Sequence, residues 1–82
     1  MRPQKPTKPP KTRDLARSLR LWRRVRELTQ TEVHKVTGIH NTRLSALENG
    51  RIQAQTVELT LLAQAYGISV EALCEGPRLG AA

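Results

Sequence analysis

Aromatic side chains are almost missing from this chain. Trp22 and Tyr66 are the only two, 2% of the residues, and there is no phenylalanine. Binders of single-stranded DNA or RNA stack bases on several rings, so that class is disfavoured. Cysteine is limited to Cys74, which excludes an internal disulfide and a cysteine-based zinc site. One thiol fits a reducing, cytoplasmic compartment. His34 and His40 are the only histidines, too few to assemble a metal site. No apolar run approaches the length of a membrane span, no segment alternates as a strand would, and no segment repeats. There is no nucleophile elbow, no H-E-x-x-H and no phosphate-cradling loop, so neither an enzyme nor a cofactor is expected. At 82 residues the chain is one small domain. A domain of that size buries roughly 60–65% of the surface of its unfolded form, too little to enclose a deep cleft.

What the chain has is positive charge, unevenly placed. The net charge is +7, which points to a polyanion, nucleic acid before membrane. Residues 1–28 hold ten basic groups against Asp14 and Glu27, a balance of +8, and residues 29–82 come to −1. Residues 1–13 combine Pro3, Pro6, Pro9 and Pro10 with five basic residues and no acid. Proline withholds the N–H that a helix needs and like charges repel, so residues 1–13 read as a disordered basic arm. It has no apolar core and is not a signal peptide.

From residue 14 to 76 the pattern is that of five short helices in a compact all-α domain, with 77–82 as a flexible tail. Leu15, Leu19, Trp22 and Val25 follow one face of a first helix, widened by Leu21 and Leu28 and opened by Asp14 as N-cap. Thr29 and Glu32 form a T-x-x-E capping box for a second helix, which Gly38 ends and which turns Val33 and Val36 inward. A third runs from about Asn41 to Glu48, with Leu44 and Leu47 inward and Asn49-Gly50 as its stop. Gln55 or Thr56 opens a fourth, with Val57, Leu61, Leu62 and Ala65 on one face and Gly67 at its end. Ser69 caps a fifth containing Val70 and Leu73, and Gly76-Pro77 closes it.

Two short helices joined through Gly38 are the pattern of a helix-turn-helix, whose second helix enters the major groove. The text Leu28-Thr29-Gln30-Thr31-Glu32-Val33, then Thr37-Gly38-Ile39, then Arg43-Leu44-Ser45-Ala46-Leu47-Glu48-Asn49-Gly50, resembles the phage-repressor/Cro-type, or XRE, helix-turn-helix family. Leu61 to Leu73 resembles the last two helices of that family. The resemblance covers about residues 15 to 76 and implies a lambda-repressor-like DNA-binding domain. With Leu44 and Leu47 buried, the opposite side of the third helix carries Thr42, Ser45, Ala46 and Asn49, flanked by Asn41 and Arg43. Arginine can pair with guanine, asparagine with adenine, and a threonine methyl or an alanine can meet the thymine methyl. Gln30 opens the second helix, where N–H groups favour a phosphate. The resemblance implies that Gln30, Asn49 and Arg51 contact the DNA backbone. It also implies a structural pair between Arg23 and Glu48. His34 stands where the family usually carries alanine, so its side chain must turn aside or the helix crossing must loosen.

These residues imply a sequence-specific regulator of transcription, most often a repressor, acting on double-stranded DNA at a palindromic operator as a homodimer. The resemblance implies the last helix and tail, with Val70, Leu73 and Leu79, as the dimer surface. The arm and the stripe Arg13, Arg17, Arg20 and Arg24 are expected to supply most of the attraction to phosphate. Only five residues follow Pro77, so no effector domain is expected. The competing readings are an antitoxin-like or adaptor module that holds a protein partner, and a basic amphipathic helix that binds a membrane or an acidic partner. Glu71 and Glu75 read as an exposed acidic face. Cys74 reads as a partly buried small hydrophobe, with a redox switch as the alternative.

Overall fold

The computed structural model describes residues 12–77. They form α1 (Thr12–Val25), α2 (Gln30–Thr37), α3 (Asn41–Glu48), α4 (Thr56–Tyr66) and α5 (Val70–Glu75), with no strand among the described residues. The expected five-helix, all-α class is the observed one. Most of the basic arm, and Leu79 in the tail, lie outside the described residues.

The starts of the helices follow from local chemistry. Thr29 Oγ1 accepts the Glu32 N–H at 3.1 Å while Glu32 Oε1 accepts the Thr29 N–H at 2.8 Å, a closed capping box. The Gln55 N–H donates to Glu58 Oε1 at 2.8 Å at the start of α4, and Ser69 Oγ accepts the Ala72 N–H at 3.0 Å at the start of α5. Asp14 does not cap α1. The helix begins at Thr12, which places Asp14 within its first turn, where a carboxylate still favours the positive end of the helix dipole.

The end of α1 is unusual. The Leu28 N–H bonds to the Arg23 carbonyl at 3.1 Å and the Glu27 N–H to the Arg24 carbonyl at 2.9 Å, the two bonds of a Schellman ending. That ending needs a left-handed residue, and here it is Glu27, at φ 56. A side chain in that region costs roughly 1 kcal/mol, which glycine avoids. Glu27→Gly is therefore expected to raise the melting temperature by about 3–6 °C, allowing for the greater unfolded entropy of glycine. A thermal melt followed by circular dichroism checks it.

α1 packs against α5 and α3, α4 against α5 and α2, and α2 against α3. Between them lie Leu15, Leu19, Val33, Leu44, Leu47, Leu62, Tyr66 and Leu73, all buried. Burying each leucine contributes roughly 1.5–3 kcal/mol before chain entropy is counted. Trp22 seals the edge, its Nε1–H donating to the Ala72 carbonyl at 2.9 Å. Arg26 lies over the Trp22 ring, 5.6 Å from its centroid, and donates from Nε to the Tyr66 carbonyl at 2.8 Å, closing the end of α4. No helix among the described residues is long and apolar enough to cross a membrane.

Four expectations about facing need correction. Val25 is exposed, because α1 ends there and the Glu27 turn returns the chain to the core only at Leu28. Val36 is 68% exposed. α2 is two turns long, and Thr37, one full turn after Val33, faces inward instead, bonding the Val33 carbonyl at 2.8 Å and the Ile39 N–H at 3.0 Å. In α4 the buried stripe is Glu58, Leu62 and Tyr66 with Ala63, while Val57 is exposed and Leu61 only half-buried. The apolar pattern alone favoured Val57, because nothing in it announces that an acid will be buried. Leu73 is fully buried in the core and offers no dimer surface, and Val70 is left as an exposed residue of α5.

Candidate nucleic-acid interface

The turn between α2 and α3 is built by three residues. Gly38, at φ 80, ends α2 in the left-handed region, and its N–H bonds to the His34 carbonyl at 2.7 Å. Ile39 then drops into the core. His40 caps α3, its Nδ1 accepting the Thr42 N–H at 3.2 Å. The sequence does not announce this cap, because histidine is not among the usual capping residues. His34 does turn aside: its Nδ1 meets the Ile39 carbonyl at 2.8 Å, so the imidazole braces the turn and does not enter the helix crossing. The two imidazoles meet edge to face at 5.5 Å.

Glu48 joins three helices. Its carboxylate accepts Arg23 Nε at 2.7 Å and Arg23 Nη2 at 2.9 Å, a two-pronged pair between α1 and α3, and Gln30 Nε2 from α2 at 3.1 Å. The expected Arg23–Glu48 pair is thus present, with Gln30 as an unforeseen third member. Arg23 also donates to the Leu28 carbonyl at 3.0 Å, and its pKa is raised, chiefly by the bond to Glu48. Arg20 donates to the Glu48 main-chain carbonyl, placing a cation at the negative end of the α3 dipole. Just beneath, burial pushes the Tyr66 phenol well above its ordinary pKa.

The other end of α3 is tied to α4. Arg43 Nε and Nη2 donate to Glu58, the second bond at 3.0 Å. The Arg43 hydrogen bond holds the Glu58 carboxyl below the usual carboxylate range, and the Gln55 N–H adds to this against the cost of burial. A carboxyl whose folded pKa is depressed contributes stability above its unfolded value of about 4.3, and that stability is lost as pH falls through the folded value. Glu58→Gln should therefore flatten the acid limb of a melting-temperature profile below about pH 4.3 and lower the plateau above it.

Placed on this frame, the sequence candidates divide. Thr42, Asn49 and Arg51 are exposed, and Gln30, Asn41, Arg43, Ser45 and Ala46 are half-buried. All eight lie on α2, α3 or the turn that ends α3. Asn41 Nδ2 donates to Thr31 Oγ1 at 3.3 Å, and Asn41 Oδ1 is enclosed without a partner. Asn49 Nδ2 donates to the Ser45 carbonyl at 2.8 Å and to Ser45 Oγ at 3.2 Å. Gly50, at φ 71, and the Arg51 N–H on the Ala46 carbonyl at 3.0 Å complete the α3 ending. A Cβ at Gly50 would sit in ordinary contact with Ala16 and Arg13 of α1, 3.7 Å from each, so it is the left-handed φ and not crowding that calls for glycine. There Arg13, Arg17, Arg20, Asn49 and Gly50 line a concave surface where the basic stripe of α1 adjoins the end of α3. Cys74 packs against the core, and burial raises its thiol pKa, the opposite of what a reactive thiol needs.

The arrangement of α2, turn and α3 is that of a helix-turn-helix. A family model described as "Helix-turn-helix domain" matches residues 14–75, and the chain belongs to that family, in its XRE-like form. The fold is similar to the crystal structure of the clp gene regulator ClgR from C. glutamicum. The TM-score is 0.73 at 27% identity, over 80% of this chain and 86% of that one. A comparison with curated proteins finds no match. The findings support a DNA-binding protein of transcriptional regulation.

Proposed function

We propose that this protein is a sequence-specific repressor that binds double-stranded DNA as a homodimer at a near-palindromic operator. The observation that carries the reading is α3 itself. It is capped by His40 at one end and tied to α1 and α2 through Glu48 at the other, and it presents Thr42, Ala46 and Asn49 outward. Such a helix, fixed at both ends with small side chains outward, can approach base edges in the major groove. Thr42 and Ala46 face the bases. Gln30, Asn49 and Arg51 meet phosphates, contacts that set register and not sequence preference. Asn41 and Arg43 flank the reading face, and Asn41 Nδ2 and Arg43 Nε and Nη2 already bond within the protein. The basic arm and the exposed arginines of α1 attract the strands on either side, and the arm can enter the adjacent minor groove. One α3 reads one half-site, so two copies are required.

The test is selection from a random double-stranded pool by the full chain at two salt concentrations, followed by sequencing. A near-palindromic motif is expected, and a promoter carrying it should lose output when the protein is supplied. Strong low-salt binding without any motif would overturn the reading in favour of an adaptor module that uses the same fold to hold a protein.

A further inference from the structure

We propose that Arg43 positions α3 and does not read a base, and that the operator half-site is recognised through hydroxyl and methyl contacts to A·T pairs, with no arginine–guanine pair from α3. The inference rests on the groove reading above and names the class of sequence it selects.

Arg43 is the only basic residue of α3. An arginine that reads guanine offers two N–H groups at once to O6 and N7. Here one edge of the guanidinium, Nε and Nη2, is already spent on Glu58. Glu58 is 6% exposed, and its Oε1 also receives the Gln55 N–H that starts α4. Reading guanine with that edge would leave a buried carboxylate without its cation, which is the costly event in such pairs, and the remaining Nη1/Nη2 edge can reach a base only in the orientation that Glu58 fixes. Withdrawing Arg43 from Glu58 would also loosen the tie between α3 and α4. The same carboxylate cancels the charge that Arg43 would bring to the groove.

The asparagine that could read adenine is committed in a similar way. A bidentate contact needs both Nδ2 and Oδ1. Asn41 Nδ2 is on Thr31 Oγ1, and Asn41 Oδ1 is enclosed. Ser45 Oγ is held by Asn49 Nδ2. What remains free on the outward face is the hydroxyl and methyl of Thr42, the methyl of Ala46, the O–H of half-buried Ser45 and the Oδ1 of Asn49, which lies at the C-terminal end of α3. A methyl group packs against the C5-methyl of thymine, which no other base presents.

The experiment repeats the pool selection with three full-length proteins: wild type, Glu58→Gln, and the double variant Arg43→Gln with Glu58→Gln. The double variant removes both charges and leaves none buried. Wild type and double variant are expected to return the same motif, A·T at the central positions of each half-site, with affinities for the enriched duplex within about threefold. The single variant frees the guanidinium. It should gain a guanine preference at one position and a salt slope steeper by about one. A guanine enriched by wild type and lost in the double variant, with affinity falling about 10- to 100-fold, overturns the inference. A wild-type pool without any motif is a different failure, since it removes the groove reading and this inference with it. An observation on wild type alone guards against a double variant that does not fold. The Arg43 Nε–H resonance, followed by NMR, should stay in place when the enriched duplex is added, and a large shift overturns the inference.

Discussion

Glu48→Ala is expected to lower the melting temperature by roughly 12–24 °C, the largest single effect on stability. Glu48 is 2% exposed, and its carboxylate satisfies two donors of Arg23 and one of Gln30. Alanine removes the acceptor for all three. Arg23 keeps only the Leu28 carbonyl, and a partly buried cation is left without its counter-charge. Removing one partner of a buried pair costs about 3–5 kcal/mol, and the partial exposure of Arg23 favours the lower figure. Each kcal/mol is worth about 4–8 °C in a domain of this size. The double variant Arg23→Met with Glu48→Leu separates two explanations. If the cost lies in the orphaned charge, the double variant recovers most of the loss, because an apolar pair of similar volume needs no desolvation. A double variant that melts as low as Glu48→Ala would show that the pair itself supplies the stability. Operator affinity measured well below the melting temperature should fall in Glu48→Ala as well, since Gln30 loses the bond that positions it.

The two ion pairs divide the labour of holding α3. Arg23–Glu48 fixes its C-terminal end to α1 and α2, and Arg43–Glu58 fixes its N-terminal half to α4. Both acids are buried at less than one tenth exposure, and both are carboxylates facing a two-pronged guanidinium. A helix held this way presents its outer face in one orientation without any contribution from the groove side chains themselves. On the proposed reading, the residues left to meet DNA are then mainly the small ones, Thr42 and Ala46, which hold neither ion pair.

Much of this was legible in the residues. The capping box at Thr29 and Glu32, the glycines at 38, 50 and 67, and the apolar spacing within α3 each act over a few residues, so the helix boundaries could be read directly. The facing of α4 could not. Val57 and Leu62 offer two overlapping apolar stripes, and the choice between them depends on whether Glu58 finds a cation fifteen residues away. The same long-range pairing removes Arg43 from the free cations of α3, and a sequence pattern cannot show that an arginine is already occupied. Arg23–Glu48 was legible only through the family resemblance, because its partners are twenty-five residues apart. The ending of α1 at a left-handed Glu27 was hidden for the opposite reason: local chemistry argues for glycine there, and the tertiary return of Leu28 to the core prevails.

Removing residues 1–11 is expected to weaken DNA binding about 100- to 1000-fold near 0.1 M salt and to flatten the salt slope by about 3–4. The segment carries Arg2, Lys5, Lys8 and Lys11 and no acid, and its loss takes the net charge from +7 to +3. What is left is less basic than its composition suggests, because Arg23 and Arg43 are neutralised by Glu48 and Glu58. The free cations of the helical part are then mainly Arg13, Arg17 and Arg24 on α1, with Lys35 and Arg51. Each phosphate neutralised contributes about 0.9 to the slope, so four cations in contact account for the expected change. If the arm only attracts phosphate, the loss is equal on the enriched duplex and on a scrambled one, since phosphate carries no sequence. If the arm also enters the minor groove, the enriched duplex loses more, because width and A·T content are read there. An unchanged slope would place the whole electrostatic contribution on α1, and Arg13→Gln with Arg17→Gln would then produce the flattening that truncation did not. The caps, the two ion pairs and the core cluster that hold the five helices are all formed among residues 12–77, so the melting temperature is expected to change little in the truncated protein. A change in affinity can therefore be assigned to charge.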